Sequence, residues 1–386
     1  MSLCDRIVRR LPACLGAALA AAAIAAPAGA QGLPAAAGKA TVTTVAKGLE
    51  HPWALAFLPD GGMLITERPG RLRLLDEGGR LSPPLAGVPK VAADGQGGLL
   101  DVALSPGFAQ DRLVYLSYAE AGPDGGRSGT AIGRGRLSGD GSRLEDFRTL
   151  FRQEPKLSSG QHYGSRLVFH DGYLYATLGE NNQRPTAQDL DKLQGKIVRL
   201  NPDGSVPRDN PFVGRAGARA EIWSYGHRNP QGLAVNPATG ELWEHEHAAR
   251  GGDEVNIVRR GGNYGWPLAT HGVNYSGLPI PESRGDTLAG GEEPLYWWTR
   301  SPAVSGMAFY TSDRHPQWRG SLFVGALAQQ ALIRLQLDGG RVVAEERLLQ
   351  DRGARIRDVR QAPDGQLYVL TDAGDGELLR VAPAGG

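Results

Sequence analysis

Short alternations of apolar and polar residues, each introduced by a turn of Pro, Asp and Gly, recur along this chain. Leu58-Pro-Asp-Gly-Gly-Met-Leu-Ile-Thr-Glu is a turn feeding such a segment. Phe169-His-Asp-Gly-Tyr-Leu-Tyr-Ala-Thr-Leu and Ala362-Pro-Asp-Gly-Gln-Leu-Tyr-Val-Leu-Thr repeat it. Looser copies are Leu104-Ser-Pro-Gly-Phe with Arg112-Leu-Val-Tyr-Leu-Ser-Tyr, Val235-Asn-Pro-Ala-Thr-Gly-Glu-Leu-Trp, and Gln317-Trp-Arg-Gly-Ser-Leu-Phe-Val-Gly. A period of two predicts strands, and the turns predict hairpins. Several copies continue into a second strand that ends in a basic–apolar pair: Arg71-Leu-Arg-Leu-Leu, Ile197-Val-Arg-Leu, Leu332-Ile-Arg-Leu and Leu378-Leu-Arg-Val.

The copies stand roughly 45–80 residues apart, a blade period with insertions rather than the pattern of a sandwich. One four-stranded blade cannot bury both of its faces, whereas six set radially bury each other around a central channel. The expected architecture is therefore all-β: a single six-bladed propeller of four-stranded antiparallel blades over residues 31–386, with an active site at one rim of the channel. The stretches 181–220 and 262–300 are expected as long insertions, which in a compact domain usually carry function.

The 55 glycines and 26 prolines among 386 residues agree with many turns. A formal charge of +1 excludes nucleic acid as an electrostatic partner. Arg6, Arg9 and Arg10 precede an apolar run from Leu11 to Ala26, and Ala28-Gly29-Ala30 follows it, the layout of a cleavable signal peptide over residues 1–30. A membrane anchor is the competing reading, but prolines interrupt the run and it is shorter than the ~20 residues of a spanning helix. The expectation is thus a periplasmic or secreted protein with no membrane span in the mature chain. Both cysteines, Cys4 and Cys14, lie in the leader, so the mature chain has no disulfide or thiolate chemistry.

Four stretches hold candidate chemistry. His162 sits in a Gly/Ser-rich loop, Leu157-Ser-Ser-Gly-Gln-His-Tyr-Gly-Ser. A lone histidine is by default structural. Here small neighbours let a ligand approach, and a neutral imidazole can take a proton from a sugar hydroxyl. Glu180, in Thr-Leu-Gly-Glu-Asn-Asn, is the nearest orienting carboxylate by topology. Gly226-His-Arg-Asn-Pro-Gln-Gly is a turn, yet Arg228 and Asn229 can also pair with carboxylate or carbonyl oxygens. Ala248-Ala-Arg-Gly-Gly-Asp-Glu-Val-Asn carries Asp253, Glu254 and carbonyls, either an exposed acidic pair or hard oxygens for calcium. Arg355 and Arg357 alternate on one strand face, either a solvated edge or half of an anion site.

Taken together, these motifs resemble the soluble PQQ-dependent aldose sugar dehydrogenases of the glucose/sorbosone dehydrogenase family. The resemblance rests on residues 48–61, 95–108, 194–212, 226–234, 251–256, 261–267 and 355–359, in order, with Ala362-Pro-Asp-Gly-Gln-Leu-Tyr-Val-Leu-Thr-Asp behind them. It implies a propeller holding pyrroloquinoline quinone (PQQ) in its cavity and oxidising the C1 hydroxyl of aldoses to lactones. His162 would be the general base, with Glu180 behind it and Arg228 beside the reacting centre. Gln96, His162, Arg228, Asn229, Tyr275, Arg355 and Arg357 would contact the quinone. The carbonyls of Ala248 and Ala249 would hold its Ca2+, and Glu254 with the Tyr264 carbonyl would hold a second. Two departures stand out. Ala248-Ala249 replaces the family's common Gly-Pro, and Ala328 stands where some members have a lysine facing the quinone carboxylates. The chain has no Cys-x-x-Cys-His haem site, so electrons would pass to an external acceptor, a soluble cytochrome or quinone, from a protein expected to be a monomer. The rival readings are a calcium-dependent propeller lactonase or phosphotriesterase-like hydrolase and a non-catalytic sugar-binding propeller.

Overall fold

The computed structural model describes residues 30–384; all of the expected signal segment but Ala30, including its arginines and both cysteines, falls outside them. Six sheets follow one another along the chain. Blade 1 comprises Pro52–Phe57, Met63–Glu67 and Arg71–Leu75, with an antiparallel bridge from Leu75 to Leu81 at its outer edge. Blade 2 comprises Leu99–Leu104, Leu113–Ala121, Ser128–Leu137 and Leu144–Arg152. Blade 3 comprises Leu167–His170, Tyr173–Leu178, Lys196–Leu200 and Ile222–Tyr225. Blade 4 comprises Pro230–Val235, Leu242–Glu246, Asp253–Ile257 and Tyr296–Trp298, and blade 5 Val304–Phe309, Leu322–Ala326, Ala331–Asp338 and Arg341–Leu348. Each of these two gains a short parallel edge strand from the N-terminal segment, Ala30–Gln31 on blade 4 and Ala35–Ala37 on blade 5. Blade 6 comprises Ile356–Gln361, Leu367–Thr371 and Gly376–Pro383.

The fourth strand of blade 6 comes from the other end of the chain. Ala40–Leu49 pairs antiparallel with Gly376–Pro383, setting Val42 opposite Val381 and Thr44 opposite Leu379. The first and last strands thus close the ring through hydrogen bonds. The protein is a six-bladed β-propeller. Each of the six Pro/Asp/Gly turns joins the first and second strands of one blade, and each basic–apolar segment is a third strand. The stretch 181–220 is not one insertion. Its middle is the strand Lys196–Leu200, buried at every position, the same segment as the basic–apolar run Ile197-Val-Arg-Leu. The stretch 262–300 likewise ends in a strand, Tyr296–Trp298.

Blades pack face to face, so second strands are covered on both sides. Met63–Glu67, Leu242–Glu246, Leu322–Ala326 and Leu367–Thr371 are buried throughout. The core is accordingly a set of wedges between blades. Trp53 and Leu64 meet Leu99 and Leu116 between blades 1 and 2, while Leu55 and Ile65 meet Leu370 and Leu378 between blades 1 and 6. Polar residues on such strands are carried inside with the apolar ones and must find partners there.

The innermost strands carry charge into the channel. Asp101 of blade 2 and Asp358 of blade 6 are fully buried. Arg166 Nη1 lies 3.1 Å from Asp101 and 3.2 Å from Asp358, and Arg360 donates to both at 2.9 Å. Arg166 also donates to the Gln231 carbonyl at 2.8 Å and lies 4.3 Å from the Trp53 ring. Four charges on three blades therefore tie in the first and fourth blades as well. Removing one partner of a buried pair strands the other charge. Arg166→Ala is expected to lower unfolding free energy by about 3–5 kcal/mol, measured by urea denaturation; a loss below about 1 kcal/mol would show that the cross is not a main source of stability.

Candidate active site

His162 lies on the loop entering blade 3, and its backbone is in the left-handed region at φ 51°. Its own N–H donates to Gln96 Oε1 at 2.9 Å, and Gly164 N–H donates to Asn229 Oδ1 at 3.0 Å. Thr130 Oγ1 donates to the Tyr163 carbonyl at 2.7 Å. Gly164 has φ 61°, and a Cβ there would come within 2.8 Å of Gly179 N, so glycine is required. The loop is held from three directions.

The His162 ring is directed by a carboxylate. Its Nδ1 is 3.1 Å from Glu180 Oε1, with both side chains buried. Glu180 is itself fixed, since its Oε2 accepts from Gln183 N–H at 3.0 Å and its backbone N–H donates to the Arg228 carbonyl at 2.9 Å. Burial pushes the imidazole below its ordinary 6.5; Glu180 opposes that shift and Arg228 reinforces it. The ring is neutral at pH 7, with Nδ1–H on Glu180 and a basic Nε2 that has no partner among the described residues.

Gln96 and Asn229, which hold the His162 loop, also line a cavity of about 270 Å3 together with Arg68, Arg355, Arg357 and Asp372, among others. Arg357 donates to Asp372 at 2.8 Å and to Gln231 Oε1 at 3.1 Å, and Arg355 reaches the same Asp372 oxygen at 3.1 Å. Burial opposes ionisation of Asp372, yet the two guanidiniums hold its carboxyl well below the usual range. A second cavity, about 420 Å3, adjoins through His247 and Ala303 and is walled by Ala248, Ala249, Tyr275, Arg300 and Ala328. Tyr275 is 72 % exposed at its rim.

The two cavities meet at the Ala248-Ala249 loop. Arg228 Nη1 donates to the Ala248 carbonyl at 2.6 Å and to the His247 carbonyl at 3.1 Å. Its backbone N–H and that of Asn229 both donate to Glu246 Oε2. Asp253 accepts from Ala248 N–H at 3.0 Å and from Ala303 N–H at 2.9 Å, which bolts the loop to the entry of blade 5. Burial raises Asp253 to about 6 despite these donors.

The residues present fit a polar, planar, anionic group. Arg228 Nε, His247 Nε2 and Arg357 Nε are buried with no hydrogen-bond partner among the described residues. An acceptor-rich ligand would satisfy such donors, whereas an apolar one would not. The Ala249 carbonyl accepts no hydrogen bond among the described residues and is open to a cation.

A second cation fits behind Arg228. Glu246, Glu254 and Tyr264 share one small pocket, and His227, Glu244 and Glu246 bring ligand atoms within 4.8 Å of one another. Burial, then the neighbouring Glu246, pushes both Glu244 and Glu254 above their usual range. Glu244 Oε2, Asn256 Oδ1 and His227 Nδ1 have no hydrogen-bond partner among the described residues. The Tyr264 ring stacks on His227 at 4.4 Å.

Of the residues singled out in the sequence, Gln96, Asn229, Arg355 and Arg357 line one cavity, Ala248, Ala249, Tyr275 and Ala328 the next, and Arg228, Glu254 and Tyr264 a pocket that shares His247 with both. Sequence reasoning missed Arg68, Asp372, His247, Glu244 and His227. The Glu244-His245-Glu246 alternation was the available signal for one of them, since period two puts both glutamates on one face. Arg68 and Asp372 carried no local signal, because each is an ordinary charged residue at a strand end.

A family profile described as "Glucose / Sorbosone dehydrogenase" matches residues 49–380. The chain is 63% identical over 337 residues to the aldose sugar dehydrogenase YliI of Escherichia coli, covering 87% of this chain and 91% of that one. The crystal structure of the soluble aldose sugar dehydrogenase of E. coli in the apo-form superposes with a TM-score of 0.88 at 61% identity, covering 89% of this chain and 99% of that one. The PQQ-bound aldose sugar dehydrogenase of Streptomyces coelicolor superposes with a TM-score of 0.73 at 32% identity, over 90% of this chain and all of that one. With a profile spanning most of its length and a relative this similar, the chain belongs to the glucose/sorbosone dehydrogenase family.

Proposed function

We propose that this protein is an exported quinoprotein that oxidises the C1 hydroxyl of aldose sugars to lactones, using PQQ and Ca2+. The observation that carries the reading is the His162–Glu180 pair on a loop held by Gln96 and Asn229, both of which line a cavity walled by guanidiniums. A base must be neutral and oriented, and this imidazole is both. Arg355, Arg357 and Arg68 would meet quinone carboxylates, with Gln96, Asn229 and Tyr275 lining the remainder. Bound PQQ with its calcium supplies the two-electron acceptor for the hydride that leaves C1. His162 Nε2 takes the hydroxyl proton, and Glu180 stabilises the imidazolium that forms. Arg228 holds the Ala248 carbonyl in place beside the cation and lowers the proton affinity of His162. Ala248 and Ala249 would hold the first cation through carbonyls, and Glu254 and the Tyr264 carbonyl a second, with Glu246 beside them. Electrons then leave to an external acceptor. No helix among the described residues is long and apolar enough to cross a membrane.

The hydrolase alternative needs calcium held by free carboxylates in the channel. Asp101 and Asp358 are instead committed to Arg166 and Arg360.

Dye reduction by EDTA-treated protein with glucose should require PQQ and calcium together; activity with neither, or hydrolysis of a lactone by the apo-protein, would overturn the assignment. His162→Ala should bind PQQ within about threefold of wild type yet lose at least about a hundredfold in kcat; turnover within tenfold would remove its role as base. The acid limb of kcat/KM should lie below the ordinary imidazole value of about 6.5, because burial favours the neutral form. Glu180→Gln should move that limb lower still, since the carboxylate raises the imidazole pKa, and should also reduce kcat; a limb that does not move would detach Glu180 from the base. Calcium should raise the Tm of EDTA-treated protein more at about pH 8 than at about pH 5, because protons on the raised carboxyls must be displaced. In the apo-protein the same groups lower stability as pH rises through their elevated pKa values, and the cation offsets that loss. An equal shift at both pH values would exclude carboxylate ligation.

A further inference from the structure

The larger cavity contains an arginine that the assigned roles leave unused. Arg300 is exposed in the loop between blades 4 and 5 and lines the cavity together with Ala248, Ala249 and Ala328. It has no carboxylate within ion-pair distance among the described residues. Its backbone is nevertheless fixed on both sides. The Arg300 carbonyl accepts from Gln329 Nε2 at 2.9 Å, and Ala328 N–H donates to the Pro302 carbonyl at 3.0 Å. Ala303 has φ 56° and is tied to Asp253. Arg300 therefore stands on the same rigid wall as Ala328, where the side chain at 328 offers only a methyl group.

The charge of the neighbouring cavity gives this placement meaning. Its lining carries three guanidiniums, Arg68, Arg355 and Arg357, against one carboxylate, Asp372. Two of those guanidiniums are already bonded to Asp372. A tricarboxylate spanning both cavities would meet these charges and, at the Ala248–Ala249 carbonyls, the proposed Ca2+, while on the Ala328 wall of the larger cavity the guanidinium within reach is that of Arg300. Arg250 is the other arginine there; it is also exposed, but it stands on the opposite side, on the Ala248–Gly251 loop beside Gly277, away from Ala328. Arg300 is the better placed of the two.

We propose that Arg300 is a cofactor-anchoring residue, supplying from the blade 4–5 loop the positive charge that position 328 lacks and pairing with a carboxylate of PQQ. This rests on the functional reading above. The guanidinium supplies parallel donors matched to a carboxylate.

The test is PQQ binding to EDTA-treated protein reloaded with saturating calcium, followed by tryptophan quenching and calorimetry without substrate. Arg300→Ala should weaken the Kd about tenfold and flatten its dependence on NaCl. Arg300→Lys should recover part of the loss. Arg300→Ala combined with Ala328→Lys should recover most of it, since the charge returns to the same wall. Arg250→Ala should stay within twofold of wild type. An Arg300→Ala Kd within twofold of wild type overturns the proposal and leaves the quinoprotein reading intact. Failure of the wild type to bind PQQ overturns both. Arg300 is exposed, so its variants should keep the wild-type melting temperature, and a lowered one would assign it a structural role instead.

Discussion

Two arginines and two aspartates crossed over the channel are the constraint on which the rest of the molecule depends. Placing four charges out of water is costly unless each meets its opposite. Here Asp101 and Asp358 each face both Arg166 and Arg360; the other oxygen of Asp101 takes the Leu167 N–H, and the Asp358 oxygen that meets Arg360 also takes the Leu55 N–H. The geometry exists only when blades 2, 3 and 6 stand at one radius. The cross therefore acts as a gauge for ring closure, alongside the pairing of the first and last strands. It also backs the cavity, because Arg166 packs against Trp53 and Trp53 lines the cavity wall.

The site inherits its rigidity from this frame. His162 lies four residues before Arg166 on the same chain segment, so one end of its loop is anchored in the cross. Gly160, His162, Gly164 and Ser165 all have positive φ, a conformation that persists only when the surroundings impose it. Gln96, Asn229 and Thr130, from three other parts of the chain, supply the bonds that do so. The result is an imidazole whose position is set before any ligand arrives, and preorganisation of that kind is what the proposed proton abstraction would require.

Glu246 links the two halves of the site. One oxygen gathers the backbone donors of Arg228 and Asn229, and those side chains in turn hold the Ala248 carbonyl and the His162 loop. Its other side faces the pocket of Glu254 and Tyr264. A cation in that pocket would bear on Arg228, Asn229 and the cavity beside them through a single carboxylate.

The sequence by itself determined the blades. Period-two segments behind Pro/Asp/Gly turns are local, and every one marks the first hairpin of a blade, because hairpin chemistry is settled among neighbours in the chain. It also singled out His162, Glu180, Arg228, Arg355 and Arg357 as candidates, because their motifs stand out against their surroundings. It laid the insertion 181–220 across the strand it had itself marked at Ile197-Val-Arg-Leu, and in the structure the strand divides that stretch. Only the tertiary structure decided that Asp372 binds both Arg355 and Arg357, that Glu244 joins His227, and that Arg300 shares a wall with Ala328. Those contacts join residues that are apart in sequence and ordinary in isolation. Their meaning arises when radial packing carries second-strand side chains inside and leaves each charge to be answered by whatever the next blade presents.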